Sequence, residues 1–207
     1  MVVGVSAFQT VRYVASAAEL HQLPPDRGAE VAFVGRSNAG KSSALNAICE
    51  RRKLAFVSRT PGRTQMINFF ALGDHESLVD LPGYGYARVP ADIRGRWDKL
   101  LGSYLLGRRA LRGLVIVVDA RHGLMPLDRQ MLQFFSSTEK PVHVLLTKAD
   151  KLGRQQQLRQ QDVTRQQLTL FGPRVTAQLF SSVTGEGVDE ARTVIVDWLK
   201  SRSMAPE

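Results

Sequence analysis

The stretch Gly35-Arg36-Ser37-Asn38-Ala39-Gly40-Lys41-Ser42 decides the fold of this 207-residue chain. It matches G-x-x-x-x-G-K-[ST], the pattern of a loop that binds nucleotide phosphates. A β-prone apolar run at 30–34 precedes it, and a helical pattern at 43–49 follows it. Strand, loop and helix in this order are the context that the motif requires. The stretch therefore predicts an α/β fold built around a phosphate-binding loop.

Each fixed position of this loop has a chemical reason. Gly35 and Gly40 allow backbone angles and a close approach that a Cβ would obstruct. Backbone N–H groups at the start of the following helix then point at phosphate oxygens. Lys41 is expected to reach the β- and γ-phosphates, and the Ser42 hydroxyl to ligate Mg²⁺. The phosphate-binding residues predicted here are Gly35, Arg36, Ser37, Asn38, Ala39, Gly40, Lys41, Ser42 and Ser43.

A polar stretch at residues 58–65 contains a Pro-Gly turn and has no apolar periodicity, which predicts a loop. A threonine hydroxyl in this loop could be the second protein ligand to Mg²⁺, seated only while the γ-phosphate is present. Thr64 is the preferred residue and Thr60 the alternative, because spacing alone does not decide between them. The neighbouring residues expected at the nucleotide are Gly62, Arg63, Gln65 and Met66.

A predicted strand pair at 67–72 and 77–79 runs into Asp80-Leu81-Pro82-Gly83. An aspartate at the carboxyl end of a strand beside the phosphate loop can hold Mg²⁺ through water. The Gly83 N–H can bond the γ-phosphate. Such Asp-x-x-Gly turns are common, so the position after the phosphate loop gives this one its value.

An apolar strand at 141–146 ends in Thr147-Lys148-Ala149-Asp150, which has the form [ST]-K-x-D. A carboxylate at Asp150 can accept two hydrogen bonds, from the ring N–H and the exocyclic amine of guanine. Adenine lacks this pair of donors and would leave the carboxylate unpaired. The stem of Lys148 can lie along the base. Backbone N–H groups of Ser181, Ser182 and Val183 are expected to bond the guanine carbonyl oxygen.

The remaining periodicity completes an alternating α/β pattern. It predicts a six-stranded, mostly parallel sheet with one antiparallel edge strand and helices on both faces. The strands are predicted at 30–34, 67–72, 77–79, 114–118, 141–146 and 175–180, and the later helices at 92–106, 126–135, 155–170 and 188–199. Residues 1–29 are interpreted as an extension with a short helix at 15–20, residues 30–201 as a single GTPase domain, and residues 202–207 as a disordered tail.

The composition restricts the class of protein and its partners. The net charge of +9 favours a polyanionic partner, with RNA the leading candidate, although a basic surface can also serve solubility alone. Cys49 is the only cysteine, which excludes an intrachain disulfide and predicts a small buried apolar residue. No apolar run approaches the ~20 residues that span a bilayer, and no secretory signal is evident. These features predict a cytoplasmic protein.

The motifs stand in one order, each at the end of a predicted strand. Together they resemble a translation-factor-class GTPase with a Ras-like domain. The stretches at 32–43, 60–65, 80–86 and 119–122 closely resemble the bacterial EngB family, also called YihA or YsxC, of the TrmE-Era-EngA-YihA-Septin-like class. The likeness covers roughly residues 5–200.

This resemblance implies a GTP- and GDP-binding protein, a Mg²⁺-dependent GTPase needed for late assembly of the large ribosomal subunit. The family is also linked to normal septation in cell division. It implies contact with the subunit and its rRNA, which agrees with the basic charge. The protein is also predicted to be a monomer that does not engage membranes. The resemblance also favours Thr64 over Thr60 as the Mg²⁺ ligand.

Two positions bear on the rate of hydrolysis. Ras-like enzymes orient the attacking water with a glutamine after Asp-x-x-Gly. Here that position is Tyr84, which has no amide, so slow intrinsic hydrolysis is expected. Related GTPases with an asparagine at the position of Asn38 use it to help hold K⁺ against the phosphates, which makes K⁺ stimulation plausible. Lys41 and Asn38 are the predicted catalytic residues.

Three other functions compete with a GTPase switch. A nucleotide-dependent RNA- or ribosome-binding module with negligible hydrolysis is compatible with Tyr84. An ATPase or small-molecule kinase is disfavoured by Asp150. A plain RNA-binding domain would bind RNA regardless of nucleotide.

Overall fold

The computed structural model describes residues 5–51, 54, 66–84 and 91–201. A seven-stranded sheet runs through it in the order β1-β3-β4-β2-β5-β6-β7. The strands are β1 Arg12–Ala17, β2 Ala29–Gly35, β3 Ile67–Ala71, β4 Glu76–Asp80, β5 Leu111–Asp119, β6 Val142–Thr147 and β7 Val175–Leu179. The helices are α1 Lys41–Ile48, α2 Ala91–Gly107, α3 Pro126–Ser136, α4 Arg154–Leu168 and α5 Val188–Lys200. The predicted α/β architecture is confirmed.

Both faces of the sheet are buried, which explains why β5 is an unbroken apolar run rather than an alternating one. Leu114, Ile116 and Val118 belong to a core with residues of α2, α3 and α4. Val115 and Val117 point to the other face and belong to a second core with residues of α1 and α5. The helices therefore cover the sheet on both sides, as the sequence predicted.

The sheet has seven strands, not the predicted six, because Arg12–Ala17 forms β1 and pairs antiparallel with β3. The predicted helix at 15–20 is wrong, and only a short 3₁₀ turn forms, at Leu20–Gln22. The pairing is stabilised by contacts that a local pattern does not reveal. The Ser16 hydroxyl donates to Asn68 Oδ1 at 2.6 Å, and the rings of Tyr13 and Phe70 meet edge to face. Tertiary pairing thus outweighs the local helical pattern.

The antiparallel strand is also placed differently from the prediction. β3 runs antiparallel to both of its neighbours, β1 and β4, and is therefore interior rather than at the edge. The strands β4, β2, β5, β6 and β7 are all parallel. Their carboxyl ends consequently meet at one edge of the sheet, called here the carboxyl edge, and their amino ends at the opposite amino edge.

A buried ion pair closes the amino edge. Glu30 and Arg108 are 4% and 5% exposed, and Arg108 Nη2 donates to Glu30 Oε1 at 2.5 Å. The Tyr104 hydroxyl donates to Glu30 Oε2 at 2.8 Å, and burial raises the pKa of Tyr104 above its usual range. Arg108 also donates to the Pro24 carbonyl at 2.8 Å. The pair joins the segment after α2 to β2. Separating the two would be costly, because each charge would be left buried and unpaired.

Two residues with reactive side chains have structural roles. Cys49 is fully buried after α1, and burial raises the pKa of its thiol to about 12. His143 in β6 is 5% exposed, and burial lowers its pKa. Its ring nitrogens lie 2.7 Å from Thr176 Oγ1 and 2.8 Å from Gln178 Oε1. Both therefore belong to the packed interior, as the sequence predicted for Cys49.

In the part of the chain that the structure describes, no helix is both long and apolar enough to cross a bilayer.

Candidate functional site

The predicted phosphate-binding loop joins β2 to α1. Gly35 ends β2, and a Cβ there would lie 2.7 Å from the Val117 carbonyl oxygen. Gly40 immediately precedes α1 with φ of 100°, and Asn38 has φ of 63°. Residues other than glycine rarely adopt these left-handed backbone angles, although asparagine tolerates them better than most. The two glycines are therefore needed for different reasons, one for space and one for backbone conformation.

Lys41 opens α1 and lies against Asp80, the last residue of β4. Its ammonium group donates to Asp80 Oδ1. The side chains of Lys41 and Asp80 are 12% and 4% exposed. The two charges therefore neutralise each other in a site with little access to water. A phosphate group that reached Lys41 would exchange one anionic partner for another, at a helix N-terminus that already favours anions.

The oxygen donors here fit magnesium. Ser42 follows Lys41 in the first turn of α1, and the Asp80 carboxylate contacts Lys41. Magnesium prefers hard oxygen ligands, keeps several waters and is held by few protein groups together with phosphates. A serine hydroxyl and a carboxylate acting through water match that preference. Thr60 and Thr64 lie outside the described residues, as do Gly62, Arg63 and Gln65, so these assignments stay predictions. Met66, the next residue along, is 44% exposed beside β3.

The segment after β4 continues along the phosphate loop. Leu81 N donates to the Phe33 carbonyl at 2.9 Å, and Tyr84 N donates to the Gly35 carbonyl at 3.2 Å. Ser37 N in turn reaches the Tyr84 carbonyl at 3.4 Å. These bonds carry the parallel pairing past the end of the sheet. Pro82 and Gly83, which lie between them, are thereby held beside the phosphate loop.

The side chain of Tyr84 is committed to α3. Its hydroxyl donates to Asp128 Oδ1 at 2.6 Å, and Asp128 Oδ2 accepts from Met125 N at 2.8 Å. Asp128 is 1% exposed, and burial together with this carboxylate raises the pKa of Tyr84 above its usual range. Sequence reasoning noticed Tyr84 but missed Asp128, whose position three residues after Met125 at a helix start is a capping signal.

Lys148 connects the predicted base-binding motif to the phosphate loop. Its ammonium donates to the Asn38 carbonyl at 2.7 Å and to Asp119 Oδ2 at 2.8 Å. Burial alone would raise the pKa of Asp119, but hydrogen bonds from Arg121 and Lys148 hold it well below its usual range. The carboxylate therefore stays ionised. The sequence assigned Lys148 to the base alone and gave Asp119 no role.

Thr147 makes a second connection between the same two segments. Its hydroxyl lies 2.5 Å from the Ala39 carbonyl and 3.0 Å from the Val118 carbonyl, so its single proton can serve one of them at a time. A Cβ at Gly40 would lie 3.4 Å from this hydroxyl. The end of β6 thus packs directly on the phosphate loop.

Asp150 and the loop after β7 contact each other. The Ser181 hydroxyl donates to Asp150 Oδ1 at 2.7 Å, and this bond lowers the pKa of Asp150. Val183 N and Thr184 N each donate to Ser181 Oγ at 3.2 Å. Lys151 Nζ lies 3.3 Å from Asp150 Oδ2. An ionised carboxylate oriented by one hydroxyl retains acceptor sites for two ring donors.

A polar cavity of about 200 Å³ adjoins the phosphate loop on the side of β5 and α3. Its lining includes Arg36, Asn38, Asp119, His122, Asp128 and Lys148. Arg36, Asn38 and Lys148 belong to motifs identified in the sequence, whereas Asp119, His122 and Asp128 had been given no chemical role. The cavity therefore belongs to the site already described.

Comparison with known families finds two that match overlapping parts of the chain. The family described as 50S ribosome-binding GTPase matches residues 30–148. The family described as elongation factor Tu GTP binding domain matches residues 103–201. Together they cover every motif at the carboxyl edge.

Comparison with individual proteins gives close relatives. The probable GTP-binding protein EngB of Coxiella burnetii strain RSA 331 is 51% identical over 195 residues, covering 94% of this chain and 95% of the relative. The protein of the same description from Methylobacillus flagellatus is 53% identical over 200 residues, covering 97% and 95%.

Solved structures share the fold. A crystal structure of a probable GTP-binding protein engB superposes with a TM-score of 0.66 at 22% identity, covering 84% of this chain and 100% of that one. Era of Aquifex aeolicus, bound to GDP and AlF4⁻, gives a TM-score of 0.68 at 23% identity over 87% and 60% of the two chains. These likenesses establish a P-loop GTPase fold.

Proposed function

The chain belongs to the EngB family of GTP-binding proteins, and from this we propose that it hydrolyses GTP slowly as a switch in late assembly of the large ribosomal subunit. The observation that carries the proposal is the convergence of Lys41 with Asp80 and of Asp150 with Ser181 at one edge of the sheet. The first pair suits phosphates and the second suits guanine. In this proposal the protein is a cytoplasmic monomer. Its effect on septation follows either from the supply of ribosomes or from a direct contact with the division machinery.

In the proposed mechanism the protein positions the triphosphate and compensates its charge. Lys41 and the backbone N–H groups of the loop contact the β- and γ-phosphates. Ser42, Thr64 and, through water, Asp80 would hold Mg²⁺, which neutralises charge that develops on the phosphate oxygens. Asp150 selects guanine, with Ser181, Ser182 and Val183 against its carbonyl oxygen.

Slow turnover follows from Tyr84 in the same proposal. The attacking water must lie in line with the bond that breaks, and a glutamine orients it in Ras-like enzymes. Tyr84 offers no amide, and its hydroxyl is bonded to Asp128. An external group, supplied by the ribosomal particle, is therefore expected to accelerate hydrolysis.

The proposed switch uses the segment at 81–84. Gly83 would bond the γ-phosphate, and the same short segment is hydrogen-bonded to the phosphate loop and to α3 through Tyr84. Loss of the γ-phosphate would remove one of these restraints. The nucleotide state could in this way change the surface that a ribosomal particle contacts.

Asp150→Asn tests recognition of guanine. The asparagine amide can donate to the C2 carbonyl of xanthine but repels the donors of guanine, so affinity for GDP should fall by roughly 100-fold or more while affinity for xanthosine diphosphate rises. Fluorescent-nucleotide titration measures both. Asp162→Asn on the exposed side of α4 is the matched control and should bind GDP as the unaltered protein does. Unchanged GDP affinity in Asp150→Asn would contradict the assignment.

Binding to purified large subunits at fixed salt tests the switch. With a non-hydrolysable GTP analogue we expect binding at least about tenfold tighter than with GDP, which corresponds to a coupling free energy of ~1.4 kcal/mol. Equal affinity with analogue, with GDP and without nucleotide would exclude a switch.

Single-turnover hydrolysis with and without subunits distinguishes the GTPase from the alternative, a binding module with negligible hydrolysis. Only the GTPase should be accelerated by subunits.

Potassium is a further proposed cofactor, held with the help of the Asn38 side-chain oxygen. Hydrolysis with Mg²⁺ should be about tenfold faster in K⁺ than in Na⁺ at equal ionic strength, because a cation against the phosphates supplies charge that an arginine finger would otherwise bring. Asn38→Gly keeps the left-handed backbone accessible and should lose this difference. Equal rates of GTP hydrolysis in K⁺ and in Na⁺ for the unaltered protein would exclude potassium as a cofactor.

A further inference from the structure

Three cations at the amino edge of the sheet have backbone carbonyls as partners. Arg112 Nη2 donates to the Gly28 carbonyl at 3.1 Å, and Lys140 Nζ to the Arg108 carbonyl at 2.7 Å. Arg174 Nη1 donates to the Glu139 carbonyl at 2.8 Å. A carbonyl accepts a hydrogen bond but carries no net charge, so these bonds orient the cations without neutralising them. Arg112, Lys140 and Arg174 are called here the basal cluster.

The sheet register places the basal cluster across three neighbouring strands. Leu114 pairs with Val142 and Val142 pairs with Val175. Arg112 lies in β5, two residues before Leu114, and Lys140 lies in the connection just before β6, two residues before Val142. Neighbouring parallel strands are ~4.8 Å apart. Arg174 immediately precedes β7. The three side chains therefore start from adjacent strand ends on a rigid support.

The electrostatics of this edge leave the basal cluster with surplus charge. Burial lowers the pKa of Lys140 and the nearby Arg112 lowers it further, which together outweigh the opposite effect of Asp26 and Glu30. Arg112 Nε is buried and has no hydrogen-bond partner among the described residues. Like charges that are held close together repel each other, and an anion placed between them would relieve that cost.

Two carboxylates nearby, Glu30 and Asp26, already have other partners. Glu30 is paired with Arg108, and Asp26 accepts from the Ala110 amide at 2.8 Å and lies 3.4 Å from Arg109 Nε. Glu139 is exposed and contributes its backbone carbonyl to Arg174. Among the described residues, none of the three cations of the basal cluster forms an ion pair.

We propose that the basal cluster binds the sugar–phosphate backbone of RNA, at the edge of the sheet opposite the nucleotide. Three donors in a row on adjacent strands suit the repeated phosphates of one strand, and guanidinium groups suit phosphate oxygens in particular. Contacts of this kind position RNA without reading its sequence. The inference rests on the proposed function, because an assembly factor for the large subunit meets rRNA, and it agrees with the net charge of +9.

Salt-dependent RNA binding tests the proposal. A labelled oligouridylate is titrated with the full-length protein in the presence of GDP over a series of KCl concentrations, and anisotropy is read. Each neutralised phosphate of a single strand contributes about 0.7 to the slope of log affinity against log salt. The basal triple is the variant that combines Arg112→Gln, Lys140→Gln and Arg174→Gln. It should therefore lower that slope by about 2. The charge-preserving combination Arg112→Lys, Lys140→Arg and Arg174→Lys should keep most of it.

A matched triple substitution separates local contact from overall charge. Arg129→Gln, Arg159→Gln and Arg165→Gln remove the same charge from exposed positions of α3 and α4. This control should change the slope much less than the basal triple. GDP affinity should be unaltered in all variants, which verifies the fold. Equal loss in the two triples, an unchanged slope in the basal triple, or no salt-dependent binding by the unaltered protein would overturn the proposal.

Large subunits then distinguish this proposal from the proposed function. If the basal cluster holds rRNA, the basal triple should bind subunits more weakly with the GTP analogue and with GDP alike. If the basal triple keeps full subunit affinity, the cluster is not the RNA contact, even where the analogue still binds tighter than GDP. Equal binding of the unaltered protein in every nucleotide state would exclude the switch while leaving the salt slope on RNA intact.

Discussion

The contact on which the site depends most is the bridge from Lys148 to the phosphate loop. One ammonium group joins the Asn38 carbonyl to the Asp119 carboxylate, and so links the loop after β2 to the ends of β5 and β6. The loop adopts left-handed backbone angles at Asn38 and Gly40, which an isolated segment would seldom populate. Backbone N–H groups of such a loop can act together on a phosphate only when the conformation is held from outside. Thr147 adds a second restraint at the Ala39 carbonyl.

The two edges of the parallel sheet carry different sets of charged side chains. At the carboxyl edge, strand ends bring together Lys41, Asp80, Asp119 and Asp150 with their partners. At the amino edge, buried Glu30 and Arg108 neutralise each other, while the basal cluster keeps its charge. Rigid strands connect the edges. In the proposed function, a nucleotide at one edge and RNA at the other would therefore not compete for the same surface.

Much of this arrangement could be predicted from the sequence, because strand periods and short motifs are local signals. The loop at 35–42, the Asp150 motif and all five helices were predicted in this way, with element ends shifted by a few residues. β1 was missed because its stability comes from pairing with β3 rather than from its own pattern. The dual contact of Lys148 and the Tyr84–Asp128 bond were missed for a related reason. They join residues that are distant in the chain, and only the folded register brings these together.

Lys148 is thus expected to support the phosphate loop and not the base alone. Calorimetric titration of Lys148→Gln with inorganic tripolyphosphate and with GDP tests this most directly, with Lys200→Gln at the exposed end of α5 as the control. Loss of a charged hydrogen bond predicts that both ligands bind roughly 10- to 100-fold more weakly. The account would be contradicted if tripolyphosphate bound normally while GDP alone was weakened, since Lys148 would then act only at the base.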